Sequence, residues 1–301
     1  MLAATIESPE EMENIRFPVY VSPKYDGVRG LTDAAGVPYT RKGEDFNNEN
    51  FRKLMSKLKL SNLDFEIGIG SPTDKKFFAR TAGWLNSDAD PIPDGELISL
   101  YIFDRVDASM TFDQRWQKNK VPSGTYKDQI RVVWVPQHLV NSVEEIMKLE
   151  EQYVAAGYEG VMLRGALATA KYKHGRASMK SQELMKYKRF KEDEGVIIGF
   201  EEQRTNTNVA TKNGLGHTKR SSAKAGKVPN GHMGKMIVQT PAFTKPVKIG
   251  TGRGLTKALR KEIWENQEKF LGRTVTFWHQ MGSSYEKPRF ASFKGFRDTG
   301  I

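Results

Sequence analysis

The charge of the chain changes after about residue 190, and this change limits how the chain can be organised. Residues 1–190 contain 27 Lys and Arg against 26 Asp and Glu, whereas residues 191–301 contain 20 against 10 and carry nearly all of the formal net charge of +11. A length of 301 residues suits two domains. We therefore predict two domains, 1–190 and 191–301, of which the second suits contact with a polyanion. A basic surface that serves only solubility is the alternative interpretation.

The composition also excludes several classes of protein. The chain contains no cysteine, which excludes disulfides, thiolate metal sites and a cysteine nucleophile. It has no apolar run of about 18 residues, the length of a membrane span, and no secretory signal pattern at its start. We therefore expect a soluble, cytoplasmic protein that does not associate with membranes.

Strands and helices are mixed in the first predicted domain. The spacing of apolar residues predicts a helix over 48–60, and a second helix is predicted from a cap at Asn141 or Ser142 to about Ala156, with a stop at Gly157. Runs of β-forming residues bounded by turn residues predict strands over 17–21, 63–69 and 97–103.

The second predicted domain has strands over 195–200, 236–239 and 274–278 and one amphipathic helix over 256–270. A small β-barrel with one helix is typical of an OB-fold. The segment 204–235 has seven basic residues, five glycines and no acidic residue. Because it has little apolar surface to bury, we predict a long mobile loop that is poorly ordered without a bound polyanion.

The segment Lys24-Tyr25-Asp26-Gly27-Val28-Arg29 has the pattern K-x-D-G-x-R, which is the nucleophile motif of the covalent nucleotidyltransferases. A lysine amine that attacks the α-phosphate of a nucleotide must first lose its proton, which burial and neighbouring cations favour. Gly27 permits a tight turn beside the nucleotide, and the guanidinium of Arg29 suits phosphate or ribose oxygens. A basic turn in a surface loop is the alternative interpretation of this motif taken alone.

Further motifs follow this lysine in a fixed order. They are Phe65-Glu66-Ile67, Tyr101-Ile102-Phe103-Asp104, Glu159-Gly160-Val161-Met162-Leu163-Arg164, Tyr172-Lys173-His174-Gly175-Arg176 and Leu184-Met185-Lys186-Tyr187-Lys188. Together with the lysine motif they resemble the ATP-dependent DNA ligases, especially the minimal two-domain enzymes of bacteriophages and algal viruses. The resemblance extends from about residue 18 to the C-terminus.

Two of these motifs also have a physical rationale. Lys186 and Lys188 lie two apart on a predicted strand, so both are expected on one face, where two ammonium groups suit a triphosphate and its pyrophosphate leaving group. Solvated surface lysines are the alternative. Glu159 beside a phosphate site requires a bridging cation, usually Mg²⁺; a simple turn residue is the alternative.

The resemblance implies a role for individual residues. The catalytic set is Lys24, Asp26, Arg29, Lys186 and Lys188. The nucleotide is expected to contact all of this set except Asp26, together with Glu66 at the ribose, Phe103 (with Tyr101 as the fallback) at the adenine, and Lys294 at the pyrophosphate. The metal is expected at Glu159 and Glu66, and DNA at Arg41, Arg176, Lys219, Arg220, Lys224 and Lys227. Asp94-Gly95-Glu96 is a rival for the place of Glu66, and Arg289 and Arg297 are rivals for that of Lys294.

The resemblance further implies a fold and a function. The fold is α+β: an ATP-grasp-like nucleotidyltransferase domain followed by an OB-fold β-barrel. The function is the sealing of 3′-OH/5′-phosphate nicks in duplex DNA by a monomer that uses ATP and Mg²⁺ or Mn²⁺, through lysyl-AMP and adenylated DNA. The lysine motif begins too early for the N-terminal DNA-encircling domain of larger ligases, so the two domains are expected to hold DNA themselves. An RNA ligase, an mRNA-capping guanylyltransferase and a non-catalytic DNA-binding relative are the alternatives.

Overall fold

The computed structural model describes residues 1–93, 95–118, 122–126, 129–167, 170–280 and 287–297. The chain divides into two compact units, Met1–Lys188 and Arg189–Ile301. The division falls two residues before the boundary drawn from the sequence.

The first unit mixes helices and short strands. Its strands are β1 Ala4–Ile6, β2 Val19–Pro23, β3 Val28–Thr32, β4 Pro38–Thr40, β5 Leu63–Ile69, β6 Ile98–Arg105, β7 Gly124–Tyr126, β8 Ile130–Trp134, β9 His138–Val140, β10 Val161–Gly165 and β11 Met185–Tyr187. Its helices are α1 Glu49–Leu58, α2 Phe77–Asn86, α3 Phe112–Gln117 and α4 Val143–Ala155, preceded by a 3₁₀ turn at Pro9–Asn14.

Two mixed sheets carry this unit. The first has the order β1-β11-β10-β2-β9, with β1 and β11 parallel, and the second has the order β4-β3-β5-β6-β8-β7, with β6 and β8 parallel. One face of the first sheet packs with α4 around Val21, Ile146 and Leu163. The second sheet packs with α1 and α2 around Phe65 and Trp84. Burial of these faces leaves the opposite faces available for polar residues.

The helix ends follow the local signals in the sequence. The side chain of Asn48 accepts a hydrogen bond from the backbone N–H of Phe51 at the start of α1, and Ser142 does the same for Glu145 at the start of α4. After α4 the chain turns at Gly157, whose φ is +98°, a value that favours glycine. The predictions of these two helices are therefore confirmed.

The second unit is a small barrel. Its elements are β12 Phe190–Asn206, β13 Ala210–Lys212, β14 Thr218–Arg220, a 3₁₀ turn Lys224–Gly226, β15 Lys227–Gln239, β16 Val247–Ile249, α5 Lys257–Glu265, α6 Gln267–Phe270, β17 Thr274–Gln280 and β18 Ser292–Phe296. Five antiparallel strands have the order β16-β15-β12-β17-β18. A parallel bridge between Thr251 and Ser292 joins the two ends of this order and closes the barrel. Its core includes Met236, Ile263 and Phe277.

The predicted helix over 256–270 is interrupted. Asn266 has φ −128° and ψ +46°, which is not helical, and it separates α5 from α6. The amphipathic face is nevertheless kept, because Ile263 of α5 and Phe270 of α6 both lie in the barrel core.

The interpretation of 204–235 as an irregular loop is wrong. β12 continues to Asn206, β13 and β14 form a hairpin, and β15 begins at Lys227. Asparagine side chains replace an apolar core here: the Nδ2 of Asn208 donates to the carbonyls of Ser221 and Ala223 at 3.0 and 2.9 Å. In the tip, the Oδ1 of Asn213 accepts two backbone N–H groups. Side-chain hydrogen bonds to the backbone thus order a polar segment that composition alone assigns to a loop.

No helix in the described ranges is both long and apolar enough to cross a membrane.

Candidate active site

Lys24 lies where β2 ends beside the start of β10. Its backbone N–H donates to the carbonyl of Gly160 at 2.9 Å, and its carbonyl accepts the N–H of Glu159 at 3.2 Å, so the pairing of the two strands continues past their ends. The ammonium of Lys24 forms an ion pair with the carboxylate of Glu159, and the two side chains are only 19% and 9% exposed. The candidate nucleophile and the candidate metal ligand are therefore joined by both backbone and side chains.

Gly160 allows this approach. Its φ is +143°, and a Cβ on it would lie 2.4 Å from the backbone carbonyl oxygen of Tyr187. Any other residue would push Glu159 away from the end of β11. The sequence motif Glu159-Gly160 thus has a steric cause.

Lys186 lies on the open face of the first sheet. In the strand register it lies between Thr5 of β1 and Met162 of β10. Burial lowers the pKa of Lys186, the charges of Lys24 and Arg176 lower it further, and Glu159 opposes them. Lys24 and Lys186 are therefore close enough for their charges to interact. Lys188 follows directly after β11, and its Cα would be 3.0 Å from a Cβ on Gly160.

The other residues predicted on the phosphate side of the site, Asp26, Arg41 and Arg176, lie outside the strands and helices. Asp26 lies with Lys24 in the segment between β2 and β3. Arg41 is exposed after β4, and its charge contributes to the lowered pKa of Lys186. Arg176 is exposed, and its guanidinium donates to the carbonyl of Ala3 at 3.3 Å.

Glu66 belongs to the second sheet, in register with Arg29 on β3 and Tyr101 on β6. Burial raises the pKa of Glu66 to about 7, the charges of Lys24 and Arg29 lower it, and Glu159 raises it. Both predicted metal ligands therefore share one electrostatic environment with Lys24. For the rival segment, Asp94 lies outside the described residues, and Glu96 forms an ion pair with Arg80 at 3.8 Å.

Arg29 is held by a carboxylate that the sequence motif does not reveal. Its Nε donates to the Oδ1 of Asp64 at 2.8 Å, and its Nη2 donates to Oδ2. Burial lowers the pKa of Arg29, but the charge and hydrogen bond of Asp64, together with the charges of Tyr172 and Glu66, outweigh burial and raise it. The hydroxyl of Tyr172 also donates to Asp64, at 2.8 Å. The guanidinium of Arg29, which was expected to contact phosphate or ribose oxygens, thus binds Asp64 instead.

A second buried carboxylate lies next to the first. Asp104 is opposite Asp64 in the register of β5 and β6. It accepts from the Nε and Nη2 of Arg115 at 2.7 and 3.0 Å and from Arg164 at 2.9 Å. Asp104 and Arg164 stand in recognised motifs, but nothing in the sequence separates Arg115 from a surface arginine.

The two aromatic candidates on β6 differ in accessibility. Tyr101 is 3% exposed, and its ring stacks on Tyr25 with centroids 4.4 Å apart. Phe103 is half-buried and is skipped in the pairing of β5 with β6, which shifts register between Asp64 and Phe65. Such a bulge re-aims a side chain, often beside an active site. Tyr101 has one face covered by Tyr25, whereas Phe103 is the more accessible ring.

The second unit carries the remaining candidates on its surface. Lys219 and Arg220 lie on β14, Lys224 in the following 3₁₀ turn and Lys227 at the start of β15. Lys227 is half-buried and the other three are exposed.

Two of the three candidates near the C-terminus, Lys294 and Arg297, are paired with acidic residues of β12. The ammonium of Lys294 lies 2.5 Å from Glu192 and 4.7 Å from the ring centroid of Trp278. Arg297 forms an ion pair with Glu194. The guanidinium of Arg289 lies 5.3 Å from the ring centroid of Phe290.

Comparison with known families identifies the chain. Residues 1–188 match the family described as ATP dependent DNA ligase domain, and residues 225–297 match the DNA ligase OB-like domain. Because the first match covers more than half of the chain, the protein belongs to the ATP-dependent DNA ligase family. It is an enzyme of that family, with a nucleotidyltransferase domain followed by an OB-fold domain.

Solved structures agree with this assignment. The chain is 25% identical to Chlorella virus DNA ligase-adenylate over 98% of both chains, with a TM-score of 0.50. It is 24% identical to a Lig E DNA ligase over 98% of both chains, with a TM-score of 0.68, which supports the fold. No curated protein sequence matches the chain.

Proposed function

We propose that this ligase seals nicks with a 3′-OH and a 5′-phosphate in duplex DNA, and that Lys24 carries the AMP. The observation that supports this most directly is the ion pair of Lys24 with Glu159 in a half-buried part of the first unit, where the charge of Lys24 also acts on Lys186. In the first transfer, the Lys24 nitrogen forms a bond with the α-phosphorus of ATP, and pyrophosphate leaves. AMP then passes to the 5′-phosphate, and the 3′-OH displaces it.

The residues around Lys24 suit the first transfer. The ion pair with Glu159 must open before the Lys24 nitrogen can attack the α-phosphorus. Lys186 and Lys188 are placed to stabilise the negative charge that develops on the departing pyrophosphate. Lys294, Arg297 or Arg289 of the second unit are the candidates for orienting that group.

A divalent cation fits the carboxylates that are present. Within the described residues, no three His, Asp or Glu side chains are grouped to hold a metal by themselves. Mg²⁺ is commonly bound by one or two carboxylates together with substrate phosphates and water. Glu159 and Glu66 meet that requirement because each carboxylate influences the other and both lie near Lys24. When bound, Mg²⁺ or Mn²⁺ would neutralise phosphate charge.

The adenine is assigned to Phe103. Its ring is only half-buried, and it lies within 5.5 Å of the guanidinium of Arg29 and 5.6 Å of that of Arg164. Tyr101 is disfavoured because it is nearly fully buried and stacked on Tyr25. Replacement of Phe103 with leucine is expected to raise the KM for ATP, whereas Tyr101→Phe is expected to leave it unchanged.

The duplex is assigned to the basic hairpin of the second unit together with Arg41 and Arg176. The hairpin exposes cations on a framework ordered by asparagine side chains, so it can contact phosphates without first folding. Both units together supply every candidate residue, which supports action as a monomer.

One experiment tests the central proposal. The protein is incubated with α-labelled ATP or GTP and Mg²⁺, and the labelled adduct is then offered nicked DNA and nicked RNA. We expect an acid-labile adduct with ATP and transfer of the label to the nicked DNA. A GTP adduct would indicate a capping enzyme, transfer only to RNA would indicate an RNA ligase, and absence of any adduct would contradict the proposal.

A further inference from the structure

Tyr25, the residue after Lys24, is enclosed by tyrosines from different parts of the first unit. Its ring stacks on Tyr101 with centroids 4.4 Å apart and planes at 28°, and it meets the ring of Tyr158 edge-on at 5.2 Å. Tyr101 belongs to β6 of the second sheet, whereas Tyr158 precedes β10 of the first sheet. The ring of Tyr25 therefore connects the two sheets next to the nucleophile.

The end of α4 fixes the place of Tyr158. The N–H of Tyr158 donates to the carbonyl of Tyr153 at 2.9 Å, and the N–H of Gly157 donates to that of Val154 at 3.0 Å. Gly157 has φ +98°, so these bonds form a Schellman motif. The ring of Tyr158 also meets that of Tyr153 edge-on at 5.9 Å. The helix end thus places Tyr158 and, one residue later, Glu159.

Two neighbouring pairs consequently join the same two segments. Lys24 pairs with Glu159 through an ion pair and backbone hydrogen bonds, and Tyr25 packs on Tyr158. Lysine has a long flexible stem, so the direction of its amine depends on how firmly its backbone is held. On the N-terminal side of Lys24, the pairing of β2 fixes the backbone. On its C-terminal side, the packed ring of Tyr25 fixes it.

We propose that Tyr25 is a positioning residue for the reaction, whose ring, packed between Tyr101 and Tyr158, holds Lys24 in line with the α-phosphate. The proposal rests on the assignment of Lys24 as the nucleophile. It concerns only the transfers in which Lys24 takes part. Closure of an already adenylated nick uses the DNA 3′-OH and does not need the aligned amine.

The test compares Tyr25→Leu, which removes the stacked ring, with Tyr25→Phe, which keeps it. With Tyr25→Leu, the rate of adduct formation at saturating ATP is expected to fall about 10–100-fold, because small misplacement of a reacting group has effects of this size. The KM for ATP and the closure of a pre-adenylated nick are expected to stay within about 3-fold, since neither needs the aligned amine. Tyr25→Phe is expected to restore most of the rate.

A matched control and a second variant keep the test decisive. Tyr153→Phe removes a buried hydroxyl that makes no hydrogen bond within the described residues, so it is expected to change nothing. If Tyr25→Leu folds poorly, Tyr158→Leu takes its place, because it leaves the stack of Tyr25 on Tyr101 intact. It is likewise expected to slow adduct formation and to leave the closure of a pre-adenylated nick unchanged.

Two results would overturn the positioning role: a normal adduct rate in Tyr25→Leu, or an equal loss in the closure of a pre-adenylated nick. Adduct formation by Lys24→Ala would instead overturn the assignment of the nucleophile itself.

Discussion

The two units of this ligase use their charged residues differently. In the first unit, Arg115 and Asp104 form an ion pair in which neither side chain is exposed. In the second unit, Lys294 and Glu192 form a pair whose side chains are 46% and 37% exposed. Breaking a buried pair by removing one partner costs about 3–5 kcal/mol, whereas an exposed pair contributes about 0–1 kcal/mol. The buried pair of the first unit therefore fixes geometry, whereas the exposed pair of the second unit costs little to separate.

The largest expected effect is that of Lys24→Ala, which tests whether one charged group of the first unit is indispensable. We expect no adduct with labelled ATP, because the variant lacks the amine that is proposed to take the AMP and that forms the ion pair with Glu159. Closure of a pre-adenylated nick is expected to persist. An acid-labile adduct formed at the normal rate would contradict the assignment.

The next effect is expected for Glu159→Ala and Lys188→Ala, tested separately. Loss of one preorganised charged group at developing phosphate charge typically lowers turnover about 10²–10³-fold. Single-turnover adenylation and thermal unfolding measure activity and stability in parallel. Near-normal rates with an unchanged Tm would show that neither residue has a role in the reaction. The charges of the two units would then not differ in this respect.

A smaller effect, graded by the number of cations removed, is expected when the hairpin is substituted and nick binding is measured. Alanine at Lys219, Arg220, Lys224 and Lys227 is expected to flatten the salt dependence of nick binding, by about one unit of slope for each cation that meets a phosphate. Self-adenylation needs no DNA and is expected to stay unchanged.

The matched control for the hairpin removes the same charge from the first unit. Alanine at the exposed lysines Lys53, Lys57, Lys75 and Lys76 is expected to leave the slope as it is. Equal slopes in the hairpin variant and the parent would show that the hairpin does not bind DNA.

The smallest effect concerns Glu66 and pH. Its pKa is raised to about 7 in the folded protein from an ordinary value of 4.5, so the folded state binds the proton more tightly. Stability from this group is present below about pH 4.5 and is lost as pH rises towards 7. Relative to the parent, Glu66→Gln is expected to gain about 2–3 kcal/mol in unfolding free energy between pH 5 and 8. Urea titrations at both pH values measure this, and a constant difference would contradict it.

Much of the first unit could be predicted because its signals are local. The caps at Asn48 and Ser142 and the turn at Gly157 are visible in a few residues. The motifs that contain Lys24 and Glu159 were recognised, but the ion pair between these two residues was not predicted.

Other features depend on distant residues. Asp64, Arg115 and Tyr172 join buried networks, yet a charged or polar residue that is buried looks the same in a sequence as one that is exposed. The bulge at Phe103 depends on how β5 pairs with β6. The hairpin was mistaken for a loop because asparagine side chains, and not apolar ones, order it.

The buried carboxylates Asp64 and Asp104 have a consequence for temperature. Each is buried together with the arginines that pair with it. The free-energy penalty for removing these charges from water falls as temperature rises, because the hydration of charged groups has a strongly negative entropy. The barrel of the second unit depends mainly on apolar packing around Met236, Ile263 and Phe277, which does not share this dependence. Heating therefore favours the first unit relative to the second. The net contribution of its buried ion pairs to stability rises with the temperature at which the enzyme works.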